Sequence, residues 1–307
     1  MALLRSAFIS LSRNKTLRRF SENSALGGRL SSRFVAGMTI DDVLRAAESV
    51  NAQGISATLD SLGESVHTPE EAHRSADIYH RLLDAIQQRG LNANVSVKLS
   101  QMGLESHAAL AREIAGELVA HAVETGNFVR IDMEGSDYTD VTLDVVRRLH
   151  AGKGAGHVGA VIQAYLYRSQ ADIESLIKDG IRIRLCKGAY QEPPNLAFPA
   201  KADVDANYIK LMQVLLPSGI YHGIATHDEA MIDATRKFVR ERGIDPRSFE
   251  FQMLYGVRRD LQRALVAEGF GMRVYIPFGP EWYPYFMRRL AERPANVIFL
   301  ARNFFRN

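Results

Sequence analysis

A pair of adjacent arginines near the end of the chain, Arg288 and Arg289, has the chemistry to grip a small carboxylate. They fall in the segment PYFMRRLAERPAN, which reads as a helix. On such a helix Tyr285, Arg288 and Glu292 stack at i, i+3 and i+7, and Arg289 lies about 100° around from Arg288. Glu292 is placed to orient either guanidinium. A planar fork binds a carboxylate through two parallel hydrogen bonds, which a lysine does not offer. A solvated basic helix end explains the pair equally well until there is something for it to face.

The rest of the chain supplies that. Asp60 with Glu64, Lys98, Asp132 with Glu134, Gln163 with Tyr165, Arg184 with Lys187, Thr226-His227-Asp228, Leu254-Tyr255 and Tyr275 each fall near the end of a short apolar or β-branched run. The runs are ISATLD (55–60), NVSVKLS (94–100), FVRIDME (128–134), GAVIQAYL (159–166), IRIRLCKGA (181–189), IYHGIATH (220–227), FEFQML (249–254) and MRVYIPFG (272–279). A buried charge without a partner is expensive. One such residue is explained by an ion pair on a rim; a whole ring of them means mutual pairing, a ligand, or both. Lys98 and Lys187 are also candidates for a Schiff base, so aldolase-type lyase chemistry belongs among the readings.

The elements that must position these groups alternate. Segments of helical period, such as EEAHRSADIYHRLLDAIQQRG and HAALAREIAGELVAHAVETG, separate the runs. Alternating strands and helices imply parallel strands joined by crossover helices. Eight strands in about 250 residues suit a closed (β/α)8 TIM barrel, whose chemistry lies at the C-terminal strand ends. An open doubly wound sheet would show a glycine fingerprint after its first strand, and SLGESVHTPEE has none. Thr39 and Thr68-Pro69-Glu70-Glu71 read as helix starts, and Gly90, Gly126, Gly180, Gly219, Gly243 and Gly269 as helix ends. We read residues 39–307 as one barrel domain and residues 1–38 as an N-terminal helical extension.

Composition narrows the class. The chain has 307 residues, 46% hydrophobic and 24% charged, enough to bury a core without disulfides or a structural metal. Cys186 is the only cysteine, which fits a reducing cytoplasm. The first twenty residues hold Arg5, Arg13, Lys15, Arg18 and Arg19 and no acid. A presequence or membrane-surface helix is one reading; an N-terminal helix packing Leu3, Leu4, Phe8 and Leu11 on the domain is the plainer one, and is preferred. No run approaches the ~20 apolar residues of a bilayer span.

Other motifs weigh little. AGKGAGHVGA (151–160) follows a helix and leads into a strand, the reverse of a phosphate loop, so it reads as a turn on the far side of the barrel. The nine histidines show no His-x-His or His-Glu-x-x-His spacing, so no metal site is expected. There is no Gly-x-Ser-x-Gly elbow. A non-enzymatic membrane or nucleic-acid binder is disfavoured, because the polar groups gather at strand ends rather than along one basic stripe.

VSVKLS, RIDME, VIQAYLYR, RLCKGAY, ATH, FEFQMLYG and the closing Tyr275 … Arg288-Arg289-Leu-Ala-Glu292 together resemble the proline dehydrogenase family. RFVAGMTIDDVLRAA and LDSLGE resemble its bacterial single-function branch, and the match runs in order from about residue 33 to the C-terminus. Cys186 stands where that family usually has valine, an oxidisable thiol near the cofactor.

The resemblance implies a distorted barrel with FAD across the strand ends and L-proline stacked on the flavin. Hydride would pass from proline carbon 5 to flavin N5, giving 1-pyrroline-5-carboxylate, the first step of proline degradation to glutamate. By motif, Asp132 and Arg184 are the catalytic pair, Arg184 near N5, with Lys98 beside the proline. Met133, Gln163, Lys187, Gly188, Ala189, Thr226 and His227 would contact the cofactor. Leu254, Tyr275 and Tyr285 would wall the proline ring. Arg288 and Arg289 would hold its carboxylate, with Glu292 beside them and Glu64 closing the site as a gate onto Arg288. The family implies a quinone electron acceptor, which makes a peripheral contact with the inner membrane surface part of the expectation.

Overall fold

Polar and apolar residues alternate along the strand segments, and in the computed structural model this alternation becomes the two faces of a closed barrel. The structure describes residues 33–63, 65–190, 192–283, 285 and 287. The parallel strands are β1 (Ser56–Ser61), β2 (Ala93–Val97), β3 (Val129–Ile131), β4 (Val158–Gln163), β5 (Arg182–Cys186), β6 (Gly223–Ala225), β7 (Glu250–Leu254) and β8 (Gly271–Phe278). They are hydrogen-bonded in sequence order, and β1 pairs with β8 to close the ring. The TIM barrel expected from the sequence is therefore formed.

Outward-facing Leu59, Val95, Val97, Val129, Ile131, Ile162, Leu185, Phe251, Met253 and Ile276 join the main apolar core under the helices. The alternate positions turn inward and are largely polar, with Val161, Ala225 and two glycines among them. Thr58, Asn94, Ser96, Arg130, Arg184, Glu250, Gln252 and Arg273 hydrogen-bond to one another or to strand carbonyls. A barrel interior is more often filled by branched apolar side chains. Small residues make room for long ones here: a Cβ at Gly159 would collide with the Arg182 carbonyl and the Arg130 guanidinium, and one at Gly223 with the Gln252 amide.

The helices are α1 (Ile40–Asn51), α2 (Pro69–Gln88), α3 (Ala108–Glu124), α4 (Thr139–Ala151), α5 (Ser169–Lys178), α6 (Lys201–Leu215), α7 (Glu229–Arg242) and α8 (Arg259–Ala267). Both expected helix starts are capping boxes. Thr39 accepts from Asp42 N (3.2 Å) while the Asp42 carboxylate accepts from Thr39 N (2.9 Å), and Thr68 pairs with Glu71 in the same way. The six expected terminal glycines all take left-handed backbone, φ +60 to +89°. The glycine-rich stretch forms turns ahead of β4, at the N-terminal end of the barrel.

One helix position is unusual. α2 to α8 each follow a strand, but the slot between β8 and β1 is filled by α1, which packs on both. It buries Val43, Leu44, Ala47 and Val50 there. Residues 33–38 enter as turns, with Ala36 N donating to Pro277 O (2.9 Å) and Gly279 N donating to Gly37 O (2.9 Å). Trp282, Tyr283, Tyr285 and Met287 pack with Phe34, Val35 and Leu62 in a separate apolar cluster. Leu62 directly follows β1, so this cluster sits at the C-terminal mouth.

Candidate active site

Asp132, one residue beyond β3, is the centre of the mouth. Its Oδ1 accepts from Ser96 Oγ (2.6 Å) and Arg184 Nη1 (2.7 Å), and its Oδ2 from the Tyr275 hydroxyl (2.8 Å). Lys98 Nζ stands 3.6 Å from Oδ2 and 2.8 Å from Asp60 Oδ1. Arg184 also donates through Nε to Gln252 Oε1 (2.6 Å) and lies over the Tyr275 ring, 5.2 Å from its centroid. Strands β1, β2, β3, β5, β7 and β8 thus converge on one group of charges. Period-2 geometry is the cause: each residue sits on the inward register of its strand.

The electrostatics fix the protonation states. Burial pushes the Asp132 carboxyl up, but the Arg184 and Lys98 charges outweigh it and hold it below its ordinary value. Asp60 goes the other way: burial raises it, and Lys98 offsets that only in part. Burial pulls Lys98 down, yet Asp60 and Asp132 together hold its ammonium well above the usual lysine value. A Schiff-base nucleophile must shed that proton, so the lyase reading loses Lys98. Burial, with Asp132 and Asp60 adding to it, keeps the Tyr275 phenol protonated, so it donates to Asp132 while its oxygen accepts from Lys98 Nζ (3.4 Å).

Cofactor candidates line the neighbouring strand ends. Gln163 closes β4 and donates to the Glu134 carbonyl (2.8 Å), with Met133 buried beside it in the chain. Lys187 pairs with Asp205 and with Asp228 (2.7 Å), and Lys201 with the same two carboxylates. Thr226 accepts from Asp228 N (3.1 Å), and His227 Nε2 accepts from Leu254 N (2.8 Å), tying β6 to the end of β7. Lys187, Gly188 and Ala189 leave the ladder earlier than the apolar run suggests. Gly188 turns at φ +107°, and a Cβ there would strike the Tyr165 ring.

A family model described as proline dehydrogenase matches residues 43–302. The chain belongs to the proline dehydrogenase family. It is 45% identical to the proline dehydrogenase of Deinococcus radiodurans over 89% of each chain, and 40% identical to proline dehydrogenase 1 of Bacillus subtilis over 98% of each. It is 28% identical to the bifunctional protein PutA of Escherichia coli, but spans only 24% of that protein. Among solved structures it is similar to proline utilization A from Bdellovibrio bacteriovorus, with TM-score 0.83 and 25% identity, covering 99% of this chain and 38% of that one.

Within this proline dehydrogenase barrel, Lys98, Asp132, Arg184 and Tyr275 are brought into one network, and Leu254 ends β7 beside them, partly exposed. Tyr285 is buried in the mouth cluster with Leu62. Glu64, Arg288, Arg289 and Glu292 lie outside the described residues. Cys186 is held protonated, pushed up to about 11 by burial, so its thiol is a poor nucleophile and slow to oxidise.

Sequence reasoning missed two features. Gln252 and Glu250 stand on the inward face of β7, which the strict alternation in FEFQML would have revealed. Glu192, in the loop after β5, accepts from Ser136 N (2.8 Å) and Ser136 Oγ (2.5 Å), and from Tyr165 at 3.4 Å. It clamps the β3, β4 and β5 loops together, and no local signal marks it.

Proposed function

We propose that this barrel oxidises L-proline to 1-pyrroline-5-carboxylate with FAD as cofactor and a quinone as final electron acceptor. The observation that carries the reading is the convergence of Lys98, Arg184, Tyr275 and Asp60 around Asp132 at the barrel mouth, in a chain of this family. FAD, when bound, supplies the hydride acceptor that no side chain offers.

The donor set fits that group. Gln163 and Arg184 on β4 and β5, and Thr226 and His227 just beyond β6, offer amide, guanidinium, hydroxyl and imidazole partners for a polar ring system. Lys187 and Lys201 give cations for phosphate, though both share Asp205 and Asp228, so a phosphate there joins a cluster already neutral in sum. Met133 and the Gly188-Ala189 backbone would complete the cofactor surface.

For the substrate, Arg288 and Arg289 would hold the proline carboxylate, Glu292 would orient them, and Glu64 would close over the site by pairing with Arg288. Tyr275, Leu254 and Tyr285 would wall the ring and keep water out. Lys98 and Asp132, whose charged forms favour each other, would act as fixed charges rather than proton carriers. A pre-set pose of this kind lowers the barrier by prepaid orientation.

Peripheral membrane contact through the basic N-terminal segment would bring the quinone within reach. Among the described residues no helix is long and apolar enough to cross a membrane. The test is the purified protein: a yellow preparation whose flavin band bleaches anaerobically on adding L-proline, with 1-pyrroline-5-carboxylate as product. A colourless protein that takes up no FAD overturns the reading. Deleting residues 1–20 and measuring quinone-coupled turnover with vesicles tests the membrane arm.

A further inference from the structure

The opposite end of the barrel holds a cavity of about 550 Å³, lined by the strand-entry turns and by Asn94, Phe128, His157, Arg182 and Arg273. It lies away from Asp132, at the N-terminal ends of β2, β3, β5 and β8. Its volume is within the range of small-ligand sites. No aspartate or glutamate lines it among the described residues.

Arg182 is the feature that needs an explanation. Its guanidinium stacks over two rings, 5.4 Å from the Phe128 centroid and 5.8 Å from that of Tyr221. Among the described residues that guanidinium makes no hydrogen bond and no ion pair, so two aromatic faces orient a donor fork that has no acceptor. Arg273, which also lines the cavity, uses Nη1 on Ala57 O (2.6 Å) and Asn94 Oδ1 (2.9 Å), and Nε on Glu250 (2.7 Å).

Just inside, Arg130 donates through Nη1 to the carbonyls of Ala160 (2.9 Å) and Arg182 (2.7 Å), and its buried Nε is unpaired among the described residues. Glu250 is the only carboxylate that pairs with any of these three arginines among the described residues. The base of the barrel therefore carries a surplus of positive charge. Its field is visible on His222, which burial and then Arg130 depress to about 3.

We propose that this cavity is a binding site for a small oxyanion of two or more negative charges, held by the Arg182 fork and separate from the proline site. The ligand class follows from the donors: a planar fork with free N–H groups, in a cavity that a second guanidinium also lines, matches paired phosphate or carboxylate oxygens. The aromatic stack keeps the fork in place before the ligand arrives, which reduces the entropy lost on binding.

The experiment is calorimetric titration of the FAD-saturated protein at fixed ionic strength with pyrophosphate and, separately, with citrate. FAD saturation keeps pyrophosphate off the cofactor site, so the result stands apart from the redox reading. Saturable binding is expected, weakened about tenfold or more in R182Q and less in R182K, as for loss of charge-assisted hydrogen bonds. Proline oxidation should be unchanged in both variants, which also reports that they fold. Tighter pyrophosphate assigns a phosphate-bearing ligand, and tighter citrate a polycarboxylate. No saturable binding of either probe, or binding of equal strength in wild type and R182Q, overturns the site.

Discussion

Tyr275, on the last strand of the barrel, donates its hydroxyl to Asp132 beyond the third strand across 2.8 Å. The bond crosses the barrel interior, and it places an aromatic ring and a fixed carboxylate on the same small volume. Tyr275→Phe removes that one donor while keeping the ring over Arg184. Asp132 retains Ser96 and Arg184, so the fold should hold. Proline turnover should fall about tenfold, the worth of one hydrogen bond to a charged group. Steady-state kinetics with a melting curve checks this; full activity in the variant would remove Tyr275 from the working network.

The arginine pair makes a sharper demand. Arg288→Lys and Arg289→Lys keep the charge and lose the fork, and replacement by alanine loses both. Proline binding should weaken by ~2–5 kcal/mol in the alanine variants if a buried charge pair is broken, with the lysine variants between. The effect should fall on KM more than on kcat. An unchanged KM in both alanine variants rejects the carboxylate clamp.

Glu192→Ala should loosen the β5 loop without touching the barrel core, because its partners are Ser136 and Tyr165. Limited proteolysis should then cut the 187–200 segment faster, and FAD should dissociate more readily on dilution. Glu192→Gln keeps one acceptor oxygen and should restore part of the protection. Equal cleavage rates in all three proteins would show that the clamp is redundant.

His222 gives a pH signature. Burial and the Arg130 charge lower it to about 3 from an ordinary 6.5. Between those values the unfolded chain binds the proton and the folded protein does not. Stability must therefore fall as pH drops through 6.5 toward 3, with His222 contributing up to about 1.4 kcal/mol per pH unit. His222→Asn leaves an oxygen that can accept from Ile183 N but cannot titrate. Urea unfolding at pH 7, 6, 5 and 4 should show a shallower acid slope in the variant; parallel slopes would contradict the assignment.

Much of this is legible in the residues alone. Strand runs, both helix starts and the six terminal glycines rest on local rules; the starts and glycines appear where the residues put them, and each strand lies within or close to its run, often shorter. Lys98, Asp132, Arg184 and Tyr275 were legible as strand-end polar residues, because barrel topology turns strand ends into one site. The Glu192–Ser136 clamp was not, since it joins residues 56 apart in loops with no periodicity. Nor was the role of α1, whose apolar stripe says that it packs but not that it takes the place between β8 and β1. Only the closed ring makes that slot, and ring closure is a property of the whole chain.

That closure has a kinetic meaning. Arg273 on β8 reaches the carbonyl of Ala57 on β1, 216 residues back, and six residue pairs hold the two strands in register. Contacts this distant in sequence form late, because the loop entropy must be met before they return anything. During synthesis β1 waits with one unpaired edge, and α1 with an apolar face and no second strand to cover it, until β8 has been made. Unpaired edges invite association with other chains. Asp132 meets Tyr275 only when that seam shuts, so a nascent or partly unfolded molecule lacks a complete mouth. Catalytic competence in this barrel should therefore appear in one step, with closure, rather than accumulate strand by strand.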